Sequence, residues 1–271
     1  MIAQICSETD PGRERSQNED SVAFDAPTGL CILADGMGGH NAGEVASGMA
    51  AAFIKSELRA VLTSAGTMSP VAMQEAIVHA VTQANGAIFN MSRANSQYYG
   101  MGTTLVVAVF NGDALTLAHI GDSRCYRLRG DQMQQLTSDH SVFQEQIDSG
   151  LIAADHSAPR TPGQNLVTRA LGVDEIVQAD INRFDLALDD IYLLCSDGLS
   201  DMVSDDAIAA ILRGDVLLEQ KAKQLVVAAN EGGGRDNISV VLAQVCEEPK
   251  AGFLGSARRA IKGVWSGGKR D

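Results

Sequence analysis

The stretch Thr103–Leu136, TTLVVAVFNGDALTLAHIGDSRCYRLRGDQMQQL, decides the fold. Thr103–Phe110 is a run of β-branched and apolar residues, and Asn111-Gly112-Asp113 turns it into a second run, Ala114–Ile120. Gly121-Asp122 turns again before Arg124–Arg129, and Gly130-Asp131 leads into Gln132–Leu136. Gly-Asp and Asn-Gly pairs between apolar runs are hairpin signals. Links this short join only antiparallel strands, because a parallel pair needs a long crossover. A doubly wound parallel sheet is excluded, and one antiparallel meander is predicted across the whole stretch.

Working outward, Ser21–Phe24 and Leu30–Ala34 read as a further hairpin around Asp25-Ala26-Pro27-Thr28-Gly29. The Ala-rich segment Ala42–Leu62 predicts a helix. Ser69-Pro70 opens a second, running to about Ala94, with Ser69 as N-cap and Pro70 at the first helical position. Val71, Ile77, Val78, Val81 and Ile88 give this helix an apolar face. Two successive helices without a strand between them form a helical hairpin. Ser138–Ser149 predicts a short helix, and residues 150–172 an irregular segment of functional length. Phe184–Leu188 and Ile191–Cys195 read as strands, Ser204–Leu212 and Glu219–Asn230 as helices, and Ile238–Val245 as the closing strand.

The chain has 271 residues, 45% of them hydrophobic, enough for a sizeable core. Its formal charge of −13 argues against nucleic acid, whose affinity for proteins rests on Lys and Arg. No apolar run is long enough to span a bilayer. Cys6, Cys31, Cys125, Cys195 and Cys246 form no CxxC pair and read as buried free thiols of a reducing cytoplasm.

The aspartates carry the chemistry. Leu30–Ala34 ends at Asp35-Gly36, Ala114–Ile120 at Gly121-Asp122, and Ile191–Cys195 at Ser196-Asp197-Gly198. Asp236-Asn237 and Asn18-Glu19-Asp20 instead open strands. In antiparallel sheets a strand end lies beside its neighbour's start, so three ends and two starts can gather five acidic positions at one rim. Crowded carboxylates repel unless a hard divalent cation neutralises them, as Mg²⁺ or Mn²⁺ does with oxygen ligands.

Thr9–Asp20 resembles the opening motif of metal-dependent protein phosphatases of the protein phosphatase 2C type, and Asp35-Gly36-Met37-Gly38-Gly39-His40 resembles the bacterial form of the second motif. Gly100–Thr104, His119–Arg124, Leu136–Ser141, Ser196–Leu199 and Asp236–Ser239 match further motifs in the same order. The resemblance implies an α+β fold, a four-layer α-β-β-α sandwich of two antiparallel sheets flanked by helix pairs. It implies hydrolysis of phosphoserine and phosphothreonine in proteins by an activated water, with two or three Mn²⁺ or Mg²⁺ ions. It assigns Asp35 as the bridging ligand, with Gly36 offering its carbonyl, Asp197 and Asp236 on the second ion, and Asp122 with Asp197 on a third. Asp20 and Glu19 act through waters, and Asn237 supports the ligands from behind. Arg15 grips the phosphate oxygens. Met37 replaces the histidine of eukaryotic members, which leaves His40 or a water as the acid for the leaving alkoxide.

The same resemblance sets one phosphatase domain over residues 1–246, with a flap at about 140–172 altered around His156–Arg160. Rival readings are a phosphoprotein-binding relative without catalysis and a hydrolase of small phosphate esters. The expected partners are phosphorylated proteins and a bacterial Ser/Thr kinase with its targets, and the expected state is a cytoplasmic monomer. Residues 247–271 form a tail whose basic part, Pro249–Asp271, carries Leu254, Ile261, Val264 and Trp265 at helical spacing. That pattern suits either a flexible extension or an amphipathic helix that docks on a membrane or a partner.

Overall fold

A computed structural model describes residues 1–38, 42–152 and 166–247. His40, the middle of the 140–172 segment and the tail beyond Glu247 lie outside the described residues.

One sheet contains β2 (Asp20–Asp25), β3 (Leu30–Met37), β5 (Leu105–Asn111), β6 (Ala114–Ile120) and β9 (Asp180–Asp185) in that order, with β4 (Gly102–Thr103) pairing with the end of β3. The other runs β1 (Ile2–Asp10), β11 (Ile238–Cys246), β10 (Ile191–Cys195), β7 (Arg124–Arg129), β8 (Gln132–Gln135). All these pairings are antiparallel.

Three apolar layers follow from the two-residue period of the strands. Leu30 and Ile32 of β3, with Leu105, Val107 and Val109 of β5, face α1 (Ala42–Ala65) and α2 (Pro70–Ala94). Cys31, Leu33, Val106 and Ala108 point the other way and meet Tyr192, Leu194, Val241 and Ala243 between the sheets. Leu193, Val240 and Leu242 turn outward onto α5 (Asp205–Arg213) and α6 (Leu218–Glu231). The architecture is the four-layer sandwich, helices outside and sheets inside.

Several expectations are corrected. The predicted meander breaks at Gly121-Asp122-Ser123: β6 lies in one sheet and β7 in the other, so this short link crosses between layers instead of closing a hairpin. Gly121 makes the corner possible. Its φ is +99°, and a Cβ there would lie 2.6 Å from Thr104 Cγ2. Gly121→Ala is expected to cost about 2 kcal/mol through backbone strain and overpacking, read from urea unfolding. On α2, Ile77, Val81 and Ile88 are buried, but Val71 and Val78 are 66% and 47% exposed, and Met73, Ala80 and Ala84 complete the buried face. The strand expected at Phe184–Leu188 runs over Asp180–Asp185 instead, because β6 sets its register from His119↔Asp180 to Ala114↔Asp185. Strand β1 was not legible at all. It is a sheet edge whose Gln4 and Thr9 face solvent, while Ala3 and Ile5 enter the core between the sheets.

The cysteines are all free, four are buried and Cys246 is half-buried.

Candidate active site

The sandwich brings the acidic strand ends together. Asp20 opens β2 and lies directly opposite Asp35 of β3. Like charges facing across a ladder destabilise a sheet unless something offsets them. Asp122 sits in the link that crosses between sheets, Asp197 begins the short helix α4 (Asp197–Ser200) just after β10, and Asp236 stands two residues ahead of β11. Glu19, Asp35, Asp122, Asp197 and Asp236 line one cavity of about 420 Å³. Arg15 is the single basic side chain among its described lining residues.

Small residues and amides fix these loops. Asn237 reaches back with its Nδ2 to the carbonyls of Pro11 (2.9 Å) and Gln17 (2.8 Å), while its Oδ1 accepts the Glu19 N–H (2.8 Å). One side chain therefore clamps the whole loop that carries Arg15 and Glu19. A Cβ at Gly198 would stand 2.1 Å from the Asn237 carbonyl, and one at Gly36 2.2 Å from the Gly43 carbonyl. Neither position admits a larger residue. Asp35 is held through its backbone: its N–H donates to Thr104 Oγ1 (3.0 Å), and its carbonyl accepts from the Thr104 N–H (2.9 Å) and Thr103 Oγ1 (2.9 Å). Ser196 Oγ donates to Asp20 Oδ2 at 2.8 Å and accepts the Ser239 N–H at 3.0 Å. Thr104, Ser196 and Ser239 fall within the motifs matched in the sequence, but no role was assigned to their hydroxyls there.

The electrostatics is that of a site built for cations. Burial, then the charges of Asp20, Asp197, Asp122 and Asp236, holds the Asp35 carboxyl well above the usual carboxylate range. Burial first, then Asp122 and Asp236, does the same to Asp197. Asp20 is pushed up to about 6, chiefly by burial against hydroxyl hydrogen bonds that pull it down. Asp122 is pushed up to about 6 by burial and then by Asp139. Asp20 Oδ1 is buried and accepts no hydrogen bond. A buried carboxylate oxygen without a donor is costly unless a cation meets it. The donor set, carboxylates plus the nearby Gly36 backbone, is hard oxygen and suits Mg²⁺ or Mn²⁺. The residues present fit divalent ions.

Arg15, predicted to hold phosphate, is half-exposed and donates from Nη2 to Asp236 Oδ2 at 2.7 Å. Met37 lines the same cavity beside Gly38 and Thr104, and Leu166 and Val167 form its wall on the side of the 140–172 segment. Asn237 bonds to the backbone behind the rim, and Glu19 lines the cavity itself.

The helix expected over Ser138–Ser149 begins later, as α3 (Val142–Asp148) with Ser141 as its N-cap. Behind Asp122, Arg124 is buried and donates in fork geometry to Asp139, Nε to Oδ1 at 3.0 Å and Nη2 to Oδ2 at 2.7 Å. This pairing anchors the start of β7 to the loop before α3.

A model of the protein phosphatase 2C family matches residues 12–223. The protein phosphatase PhpP of Streptococcus pneumoniae is 38% identical over 244 residues, covering 89% of this chain and 96% of that protein. Among solved structures, the Mycobacterium tuberculosis serine/threonine phosphatase PstP/Ppp superposes with a TM-score of 0.81 at 37% identity, covering 91% of this chain and all of that one. A structure of the catalytic domain of serine/threonine protein phosphatase PstP in complex with two manganese ions gives a TM-score of 0.79 at 36% identity, covering 91% of this chain and 99% of that one.

Proposed function

This chain belongs to the protein phosphatase 2C family, and from that membership we propose how its residues divide the work. It is a metal-dependent protein-serine/threonine phosphatase using Mn²⁺ or Mg²⁺. The observation that carries the division of labour is the cavity in which Glu19, Asp35, Asp122, Asp197 and Asp236 converge with one arginine. When bound, a pair of such ions lowers the pKa of water and offsets charge on the phosphoryl oxygens, which supplies a nucleophile near neutral pH. No cysteine nucleophile is required. Cys31 and Cys195 are fully buried in strands, and burial pushes the Cys195 thiol up to about 12.

Asp35 and the Gly36 carbonyl would hold one ion, with Asp35 shared by the second, which Asp197 and Asp236 complete. Asp122 and Asp197 would hold a third. Asp20 and Glu19 would orient ligand waters, and the buried free Oδ1 of Asp20 supports that role. Asn237 keeps the Arg15 loop against the rim by its three hydrogen bonds.

Arg15 would leave Asp236 for the substrate phosphate, whose two free oxygens match the guanidinium fork. The domain assigned to this chemistry is residues 1–246, with His40 or a water as proton donor to the departing alkoxide. The substrates we assign are phosphoproteins made by a bacterial Ser/Thr kinase in the cytoplasm. Among the described residues, no helix is long and apolar enough to cross a membrane.

Arg15→Ala tests the phosphate grip. Loss of a charge-assisted pair worth about 1.5–3 kcal/mol should lower kcat/KM on a phosphothreonine peptide by about 10- to 100-fold, mainly through KM, with Arg15→Lys recovering only part. Unchanged kinetics in Arg15→Ala would remove Arg15 from the site. Hydrolysis of an aryl phosphate but of no phosphopeptide would instead favour a small phosphate ester as substrate.

A further inference from the structure

Two buried histidines stand outside the chemistry above. His119, on β6, and His140, ahead of α3, are 2% and 4% exposed, and their rings stack with centroids 4.8 Å apart. With Asp180 of β9 they could bring three ligand atoms within 4.8 Å of one another, the outline of a metal site. The hydrogen bonds argue against it. Nδ1 of His140 accepts the Gly121 N–H at 3.1 Å, so the proton of the neutral ring sits on Nε2, which cannot then ligate a metal. That Nε2 lies 3.3 Å from Asp180 Oδ2, near enough to feel the carboxylate charge but without a hydrogen bond to it. Burial lowers the pKa of both rings, consistent with neutral imidazoles.

What His140 does hold is the corner that carries Asp122. Its N–H donates to the Gly121 carbonyl at 2.9 Å while its ring accepts the Gly121 N–H, so one residue binds both polar groups of the glycine preceding Asp122. On its other side the His140 carbonyl accepts the Thr168 N–H at 2.8 Å. Ser141 pairs with Val167, and the Val142 N–H donates to the Leu166 carbonyl at 3.0 Å. Asp180 completes the circuit by accepting Arg169 Nη1 at 3.1 Å. Leu166 and Val167 wall the catalytic cavity.

We propose that His140 is a positioning residue that couples ion binding at Asp122 to the placement of the Leu166–Arg169 wall against which the phosphoprotein substrate lies. The inference rests on the reading of Asp122 as an ion ligand. Two separable functions follow. The Nδ1 side sets the Asp122 corner, and the Nε2 side, through Asp180 and Arg169, sets the wall.

The test measures Mn²⁺ binding by calorimetry, and KM and kcat on a phosphothreonine peptide, for wild type, Asp122→Ala, His140→Phe and His140→Asn. Phenylalanine keeps the stacked ring and removes both nitrogens. Asparagine places an acceptor near the position of Nδ1 and nothing near Nε2. Asp122→Ala should lose the weakest Mn²⁺ event. His140→Phe should weaken that same event by about tenfold or more, the scale of lost support behind a metal ligand, and leave the tighter events in place. It should also raise KM for the peptide several-fold. His140→Asn should restore the Mn²⁺ event while KM stays raised.

If His140→Phe does not fold, His140→Gln, which offers a group near Nε2 alone, should show the reverse of the asparagine pattern. Asp122→Ala binding as many ions as wild type would overturn the ligand reading and the coupling with it. Asp122→Ala losing an ion while His140→Phe binds like wild type would overturn the coupling alone. An equal loss of every ion and of thermal stability in His140→Phe, without rescue by asparagine, would reduce His140 to packing.

Discussion

Asp35→Ala lowers kcat on a phosphothreonine peptide by about a thousandfold or more, and it raises the melting temperature of the chelated protein. The first effect follows from the position of Asp35 among the acidic residues of the cavity. Losing its ions removes several kcal/mol of transition-state stabilisation, and about 4 kcal/mol is a thousandfold in rate. The second effect has the opposite sign for the same reason. Without ions, Asp35 is a buried carboxylate facing Asp20 across the ladder and feeling Asp197, Asp122 and Asp236. Alanine relieves that repulsion and removes a desolvated charge. Steady-state kinetics with Mn²⁺ and calorimetry in EDTA check the two halves on one preparation. A residue that merely filled space would lose stability on truncation, so the combination of dead and more stable separates function from packing.

Metal removal should also invert the dependence of stability on pH. Asp20 and Asp122 stand at about 6 in the folded chain against an ordinary value of 3.8. A carboxyl whose pKa is raised on folding binds more protons folded than unfolded, so stability falls as pH rises. The penalty is absent below about pH 4, grows through the interval up to 6, and is complete above it. Each shift taken alone corresponds to about 3 kcal/mol. In EDTA, between pH 5 and 7.5, the melting temperature is therefore highest at pH 5, falls to about pH 6 and levels off above it. Saturating Mn²⁺ reverses the slope, because ions bind the ionised carboxylates and protons compete with them. At 100 times Kd each ion adds about 2.7 kcal/mol. Thermal denaturation at pH 5, 6 and 7.5, with chelator and with Mn²⁺, reads both slopes. A chelated protein indifferent to pH over this range would remove the carboxylate crowding from the explanation.

The site was more legible than the path that builds it. Asp35-Gly36, Gly121-Asp122 and Ser196-Asp197-Gly198 each end an apolar run and Asp236-Asn237 opens one, and an apolar strand bounded by a carboxylate leaves a clear trace in one dimension. The crossing at Gly121 was not legible, because a glycine-aspartate link reads as a hairpin whether the next strand joins the same sheet or the facing one. Only the third dimension, with Thr104 packed under Gly121 and His140 bonded to it, distinguishes the two. The difference matters, since the crossing sets Asp122 between the layers. Val71 and Val78 misled for a related reason. They follow the helical period of α2, but the sheet beneath is covered by Met73, Ile77 and Ala84. The edge strand β1 escaped notice because most of its residues are polar and only Ala3, Ile5 and Cys6 are buried. The support given by Asn237, Ser196 and Thr104 depends on loops meeting across the sandwich, as in the hydrogen bonds of Asn237 to Pro11 and Gln17.

Hydrolysis of a phosphothreonine peptide, by wild type and by Asp35→Ala, each in EDTA and then with Mn²⁺ restored, bears on the whole mechanism at once. Wild type should be silent in EDTA and recover fully with Mn²⁺, and Asp35→Ala should stay silent in both. Turnover that persists in EDTA, or an Asp35→Ala protein as active as wild type once Mn²⁺ returns, would contradict a phosphatase driven by ions held on this carboxylate rim.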